Sequence, residues 1–123
     1  MKTPIYLNLL KIELPISGIV SILHRLSGIL LILSIPLVLW MFGNSISSLE
    51  DFNHMSSLLN SSTANIAKAI LAWSLIHHIL AGIRFLLIDI DIGVNKKPAN
   101  ISASILAIVS LFSLSFFIGL ALL

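Results

Sequence analysis

A helix needs about 20 consecutive, mostly apolar residues to cross the hydrocarbon core of a bilayer. This chain of 123 residues holds three such runs, at about 19–42, 64–89 and 101–123. Only 10% of its residues are charged and 58% are hydrophobic, and the mean hydropathy is +1.10. That leaves too little polar surface to keep a soluble domain of this size dissolved. The reading is therefore all-α, an integral membrane bundle of three transmembrane helices forming a single domain over 1–123. A soluble catalytic core has no room here, so any chemistry takes place inside the membrane or at its edge.

Residues 1–18 read as an interfacial leader, interrupted by Pro4, Pro15 and Gly18. The first apolar run exceeds a signal-peptide core in length and reads as an uncleaved helix. Pro36 inside it predicts a kink near Ile32, which membrane helices tolerate when neighbours satisfy the freed carbonyl. A Ser-rich loop follows from Gly43 through Thr63, with Glu50, Asp51 and His54 but no Lys or Arg. The second loop carries Asp91, Gly93, Asn95, Lys96, Lys97 and Pro98. The third run has no ionisable side chain, and Ala103, Ala107 and Ser110 give it one small-residue face for close packing. With neither charge nor imidazole on that helix, the polar faces of the other two are expected to need partners from outside the chain.

The chain has no cysteine. Disulfides, thiolate chemistry, iron–sulfur ligation and covalent haem attachment by this chain are thereby excluded. A formal charge of +2 is too small and dispersed for a nucleic-acid surface. It carries a topology signal instead. Lys2, Lys11 and Arg25 lie at the N-terminal end, and Arg84, Lys96 and Lys97 flank the second loop. The positive-inside rule then puts the N-terminus and second loop in the cytoplasm. Lys68 is the exception, near enough to its helix end for the stem to snorkel outward.

Polar residues inside membrane helices are costly, so each needs a reason. Ser21, His24, Arg25 and Gly28 are spaced i, i+3, i+4, i+7 and share one helix face. A hydroxyl, an imidazole and a guanidinium beside a glycine gap can bind an anion or the carbonyls of a quinone. Interfacial anchoring explains the same residues equally well. On the second run His78, Gly82, Phe85 and Asp89 share a face, and His78 lies ~16 Å from its Asp89 end. A neutral imidazole at that depth is either an axial haem ligand, with Gly82 admitting a flat macrocycle, or a hydrogen-bonding residue. His77 points about 100° away and reads as packing or inter-subunit bonding. Asp89 and Asp91 read as solvated acids at a helix end, and Trp40 and Trp73 as packing or anchoring residues.

The sequence S-I-L-H-R-L-S-G at 21–28 resembles the first signature of the cytochrome b membrane-anchor subunit of succinate dehydrogenase, complex II. H-I-L-A-G-I-R-F-L-L-I-D at 78–89 resembles its second, H-x-x-x-G-x-R-H-x-x-x-D. The leader and three-helix layout are similar too, so the resemblance spans essentially the whole chain. It implies a non-catalytic anchor and electron-transfer subunit. His78 takes the position of an axial ligand to haem b, the other ligand coming from a second small anchor subunit. His24, Arg25 and Arg84 take positions near the haem propionates, and Ser21 and Arg25 positions lining a ubiquinone pocket. An iron–sulfur subunit and a flavoprotein subunit are the implied soluble partners. The implied location is a bacterial inner membrane, in preference to a mitochondrial one. Phe85 departs from the pattern, standing where many members have histidine, and neither hydrogen-bonds a propionate nor relays a proton.

A haem-free structural subunit of another membrane complex or transporter fits the hydropathy as well. It leaves unexplained why His78, Gly82 and the Ser21/His24/Arg25 face occur together. Reporter fusions at Asn53 and Lys97 are expected to report opposite sides of the membrane, with Lys97 in the cytoplasm. Both fusions on one side would contradict the three-span reading.

Overall fold

The structure, a computed structural model, describes residues 14–123. Four helices follow one another: α1 (Ile16–Ser45), α2 (Leu49–Leu59), α3 (Ser62–Asp89) and α4 (Lys96–Leu122). Helices α1, α3 and α4 are each long and apolar enough to cross a membrane. The three expected spans are therefore present, and each reaches beyond its apolar run at one or both ends.

The differences at the ends have local causes. Pro15 occupies the position just before α1, its ring holding φ at −62° with ψ at 153°. Its carbonyl accepts the Gly18 N–H at 2.8 Å. Gly18 is thus helical rather than part of a leader, and the rest of the expected leader, 1–13, lies outside the described residues. Helix α1 also runs on through Gly43 and Asn44 to Ser45, where the polar loop was expected to begin.

That loop itself contains α2. Ser48 accepts the Asp51 N–H at 3.0 Å and donates to the Asp51 carboxylate at 2.7 Å. A serine cap with Glu50 and Asp51 in the first turn complements the positive helix end. The Ser-rich composition concealed a capping signal.

Helix α4 begins at Lys96, five residues before the apolar run, because Pro98 falls in the first turn where a missing N–H costs nothing. The third span therefore carries two lysines at its start. At the end of α3 the Ile92 N–H reaches the Leu87 carbonyl at 2.9 Å, and the Asp91 N–H reaches that of Ile88 at 3.0 Å. This paired closure is a Schellman motif, and Asp91 supplies its left-handed residue at φ 63°. Asp91 thus terminates a helix.

Helix α3 packs against α1 on one side and α4 on the other, and α1 also touches α4. The shared core is small: Val20, Ala81, Ala103 and Leu106, with Ile16 and Phe85 against it. Alanine at the crossing lets backbones approach where lipid gives helices no hydrophobic reason to associate. Large apolar side chains such as Leu33, Leu86, Ile108 and Phe112 point outward instead.

The expectation that polar faces lack partners within the chain is corrected for α3. Ser110 and Ser102 of α4 supply hydroxyls, and Ala99 a carbonyl, to Trp73, His77 and Arg84. Hydroxyls, which are not ionisable, serve where no charge or imidazole is present.

Candidate functional site

The α1–α3 interface is built around two imidazoles. His24 and His78 stack with ring centroids 4.1 Å apart and planes 14° from parallel. Phe85 lies against the other part of the His24 ring at 5.3 Å. Gly28 makes the arrangement possible, since a Cβ there would come within 3.0 Å of His78 Cε1. The space over Gly82 is taken by the His24 ring, 3.6 Å from where a Cβ would stand. Gly82 therefore accommodates an imidazole of α1 in this structure, where the sequence pointed to an opening for a macrocycle.

The His78 tautomer follows from its surroundings. Its Nδ1 lies 3.1 Å from the His24 carbonyl oxygen and 3.1 Å from Ser27 Oγ. Ser27 spends its own hydroxyl hydrogen on the same His24 carbonyl, at 2.7 Å. A carbonyl can only accept, so Nδ1 carries the proton and donates. The lone pair is left on Nε2. An imidazole fixed by Nδ1–H on a backbone carbonyl is the form that metal-ligating histidines take.

His77 turns to α4 instead. Trp73 Nε1 donates to the Ser110 hydroxyl oxygen at 2.9 Å and to its carbonyl at 3.1 Å. Ser110 Oγ lies 2.8 Å from His77 Nδ1 and pairs with it. The His77 ring is fully buried against Trp73. Packing within the chain is its observed role. Of the two neighbouring histidines, only His78 has its Nδ1 held by a backbone carbonyl.

The other expected site residues divide. Ser21 is half-buried on α1, one turn before the half-buried His24, while Arg25 is exposed. Arg84 does not join the His24/His78 pair. It turns to α4, only 7% exposed, donating Nε–H to Ser102 Oγ and Nη2–H to the Ala99 carbonyl, both at 3.1 Å. The spacing explains this: Arg84 is seven residues from His77, nearly two full turns, and so shares its face. Asp89, exposed at the end of α3, and His54, exposed midway along α2, both lie outside the pair.

Sequence reasoning passed over Ser27, fully buried and bonded to the functional pair. The signal was available, since Ser27 stands three residues after His24 on the face already singled out. Ser110 was read only as small. Its hydroxyl is what meets both Trp73 and His77.

Residues 1–120 match the profile of the family described as "Succinate dehydrogenase/Fumarate reductase transmembrane subunit". The chain is similar to three proteins named "Succinate dehydrogenase cytochrome b556 subunit". That of Coxiella burnetii is 32% identical over 114 residues, 92% of this chain and 91% of the relative. That of Paracoccus denitrificans is 30% identical over 94 residues, 76% of this chain and 72% of the relative. That of Rickettsia felis is 29% identical over 99 residues, 80% of this chain and 77% of the relative.

Proposed function

The chain belongs to the succinate dehydrogenase/fumarate reductase transmembrane-subunit family, and on that premise we propose that it is the haem b-binding membrane anchor of a succinate dehydrogenase. The observation that carries this reading is the His78 hydrogen bond to the His24 carbonyl, which holds Nε2 ready for iron. The name cytochrome b556 borne by its relatives supports the same reading.

The residues present fit such a group. His78 would supply one nitrogen to the iron, and a second small anchor subunit would supply another ligand. The exposed Arg25, beside His24, offers a charge-assisted donor to a propionate carboxylate. Arg84 is left out of this assignment, since its guanidinium turns toward α4 and does not join the His24/His78 pair. Phe85 replaces the family histidine with a ring that packs on His24, so it contributes order to the imidazole pair and no charge. Bound haem supplies a one-electron carrier close to the quinone path.

Ser21 and Arg25 serve the ubiquinone side. They lie a turn apart near the start of α1, with Arg25 facing outward where another subunit or a substrate can meet it. A hydroxyl and a guanidinium aimed at a quinone carbonyl stabilise the negative charge that develops as it is reduced. The flavoprotein and iron–sulfur subunits complete the electron path from succinate. The chain is an anchor and not a catalyst by itself. Its place is the inner membrane of a bacterium, with the N-terminus inside.

Two experiments test these assignments. In the assembled complex, His78→Leu is expected to abolish or shift the reduced haem absorbance, while His77→Leu leaves the ligation intact. An unchanged spectrum in the His78 variant would remove the ligand from this residue. A complex with no haem absorbance at all would support the haem-free structural reading instead. For the quinone side, Arg25→Leu and Ser21→Ala are expected to slow quinone reduction, by up to about 10² to 10³ for loss of an oxyanion donor. Succinate oxidation by a soluble artificial acceptor should hold. Equal loss of both activities would assign these residues to assembly.

A further inference from the structure

The far side of α3 holds a second feature, which stands independently of the haem reading. A cavity of about 430 Å³ runs between α3 and α4 along the outside of the bundle. Its walls are aliphatic for most of their length, from Ile92 at the loop end to Val109 and Leu80 deeper in. The stretch from Ser102 to Val109 alone covers ~10 Å of helix. Arg84 and Ser102 are the polar lining groups, and Gly93 and Pro98 form its mouth.

Arg84 is the anomaly. It is 93% buried, being 7% exposed, yet only two of its roughly five N–H donors find oxygen acceptors among the described residues. Neither acceptor is charged. A cation inside a membrane helix pairs with an opposite charge or with backbone carbonyls, or faces a cavity; Arg84 has the Ala99 carbonyl and the face of the Phe85 ring, 5.5 Å away, but no opposite charge. The start of α4, just before the lining residue Pro98, is positive as well. Lys96 and Lys97 open α4, whose first turn holds no acid and whose N-cap Asn95 makes no side-chain capping bond. The helix-end N–H groups are thus open to an anion. Asp89 and Asp91 are exposed at the same loop and are outnumbered by these cations.

We propose that this groove is a binding site for an anionic glycerophospholipid, one acyl chain lying along the aliphatic wall and the phosphate at Arg84 and the start of α4. The cavity is of a size that takes a single small ligand or hydrocarbon chain. The apolar length also separates a lipid from free phosphate, which has no use for it. Such a lipid neutralises the one buried arginine the haem site does not use, and clamps α3 to α4 at the end where Asp91 closes the turn.

The test uses the assembled complex, purified in mild detergent, stripped of loosely held lipid, and titrated with phosphatidylglycerol or phosphatidylcholine of identical acyl chains. Native mass spectrometry counts the lipid retained. Wild type should favour phosphatidylglycerol by about tenfold, as expected for two or more cations meeting an anionic headgroup. Arg84→Gln should erase that preference. Val109→Trp, which fills the groove and leaves Arg84 in place, should lower retention of both lipids. It decides the matter if the Arg84 variant fails to assemble. Equal binding of the two lipids by wild type would overturn the proposal, as would unchanged phosphatidylglycerol binding in Val109→Trp. Haem absorbance followed on the same samples keeps failure here distinct from failure of the haem assignment.

Discussion

The structure turns on one carbonyl group. The His24 backbone oxygen accepts from Ser27 within α1 and from His78 across the helix interface. In hydrocarbon no water competes for such a group, so the bond decides both where His78 stands and which nitrogen keeps its proton. The stacked pair and the glycine beneath it are consistent with keeping that contact. An aliphatic residue in place of His78 would leave no donor to join α1 to α3 here.

Helix α3 is polar on two sides for two purposes. Toward α1 it presents His78, Gly82 and Phe85. Toward α4 it presents Trp73, His77 and Arg84, each met by a serine or a backbone carbonyl. The second set holds the bundle together, since interhelical hydrogen bonds and close packing of small residues replace the hydrophobic drive that lipid cannot supply. The first set is left with an available imidazole nitrogen. A bundle that satisfies one face internally can offer the other to a cofactor and a second subunit.

Much of this was legible in the sequence. The three spans follow from hydropathy, and the Ser21–Gly28 and His78–Phe85 faces each follow from helical spacing, though not that the two meet. The separation of His77 from His78 follows from the 100° step between neighbours. What remained hidden has particular causes. Helix α2 lies in a Ser-rich stretch whose composition reads as loop, and only the Ser48–Asp51 cap reveals it. The early start of α4 depends on Pro98 falling inside the first turn, where a proline usually taken as a breaker is harmless. Arg84 was drawn to the haem by its motif. Its direction is set by α4, and no motif records which neighbouring helix offers the nearer hydroxyl. Ser27 and Ser110 were invisible as functional groups because a serine in a membrane helix is most simply read as small.

The proposed ligation through His78 Nε2 depends on the His24 carbonyl holding the Nδ1 proton. Electron cryo-microscopy of the assembled complex, at a resolution that orients imidazole rings, measures this directly. The expected result is iron at His78 Nε2, with Nδ1 still within hydrogen-bonding distance of the His24 carbonyl and His77 still on Ser110. Iron bound by His24 or His77, or by His78 through Nδ1 with the carbonyl contact broken, would contradict it.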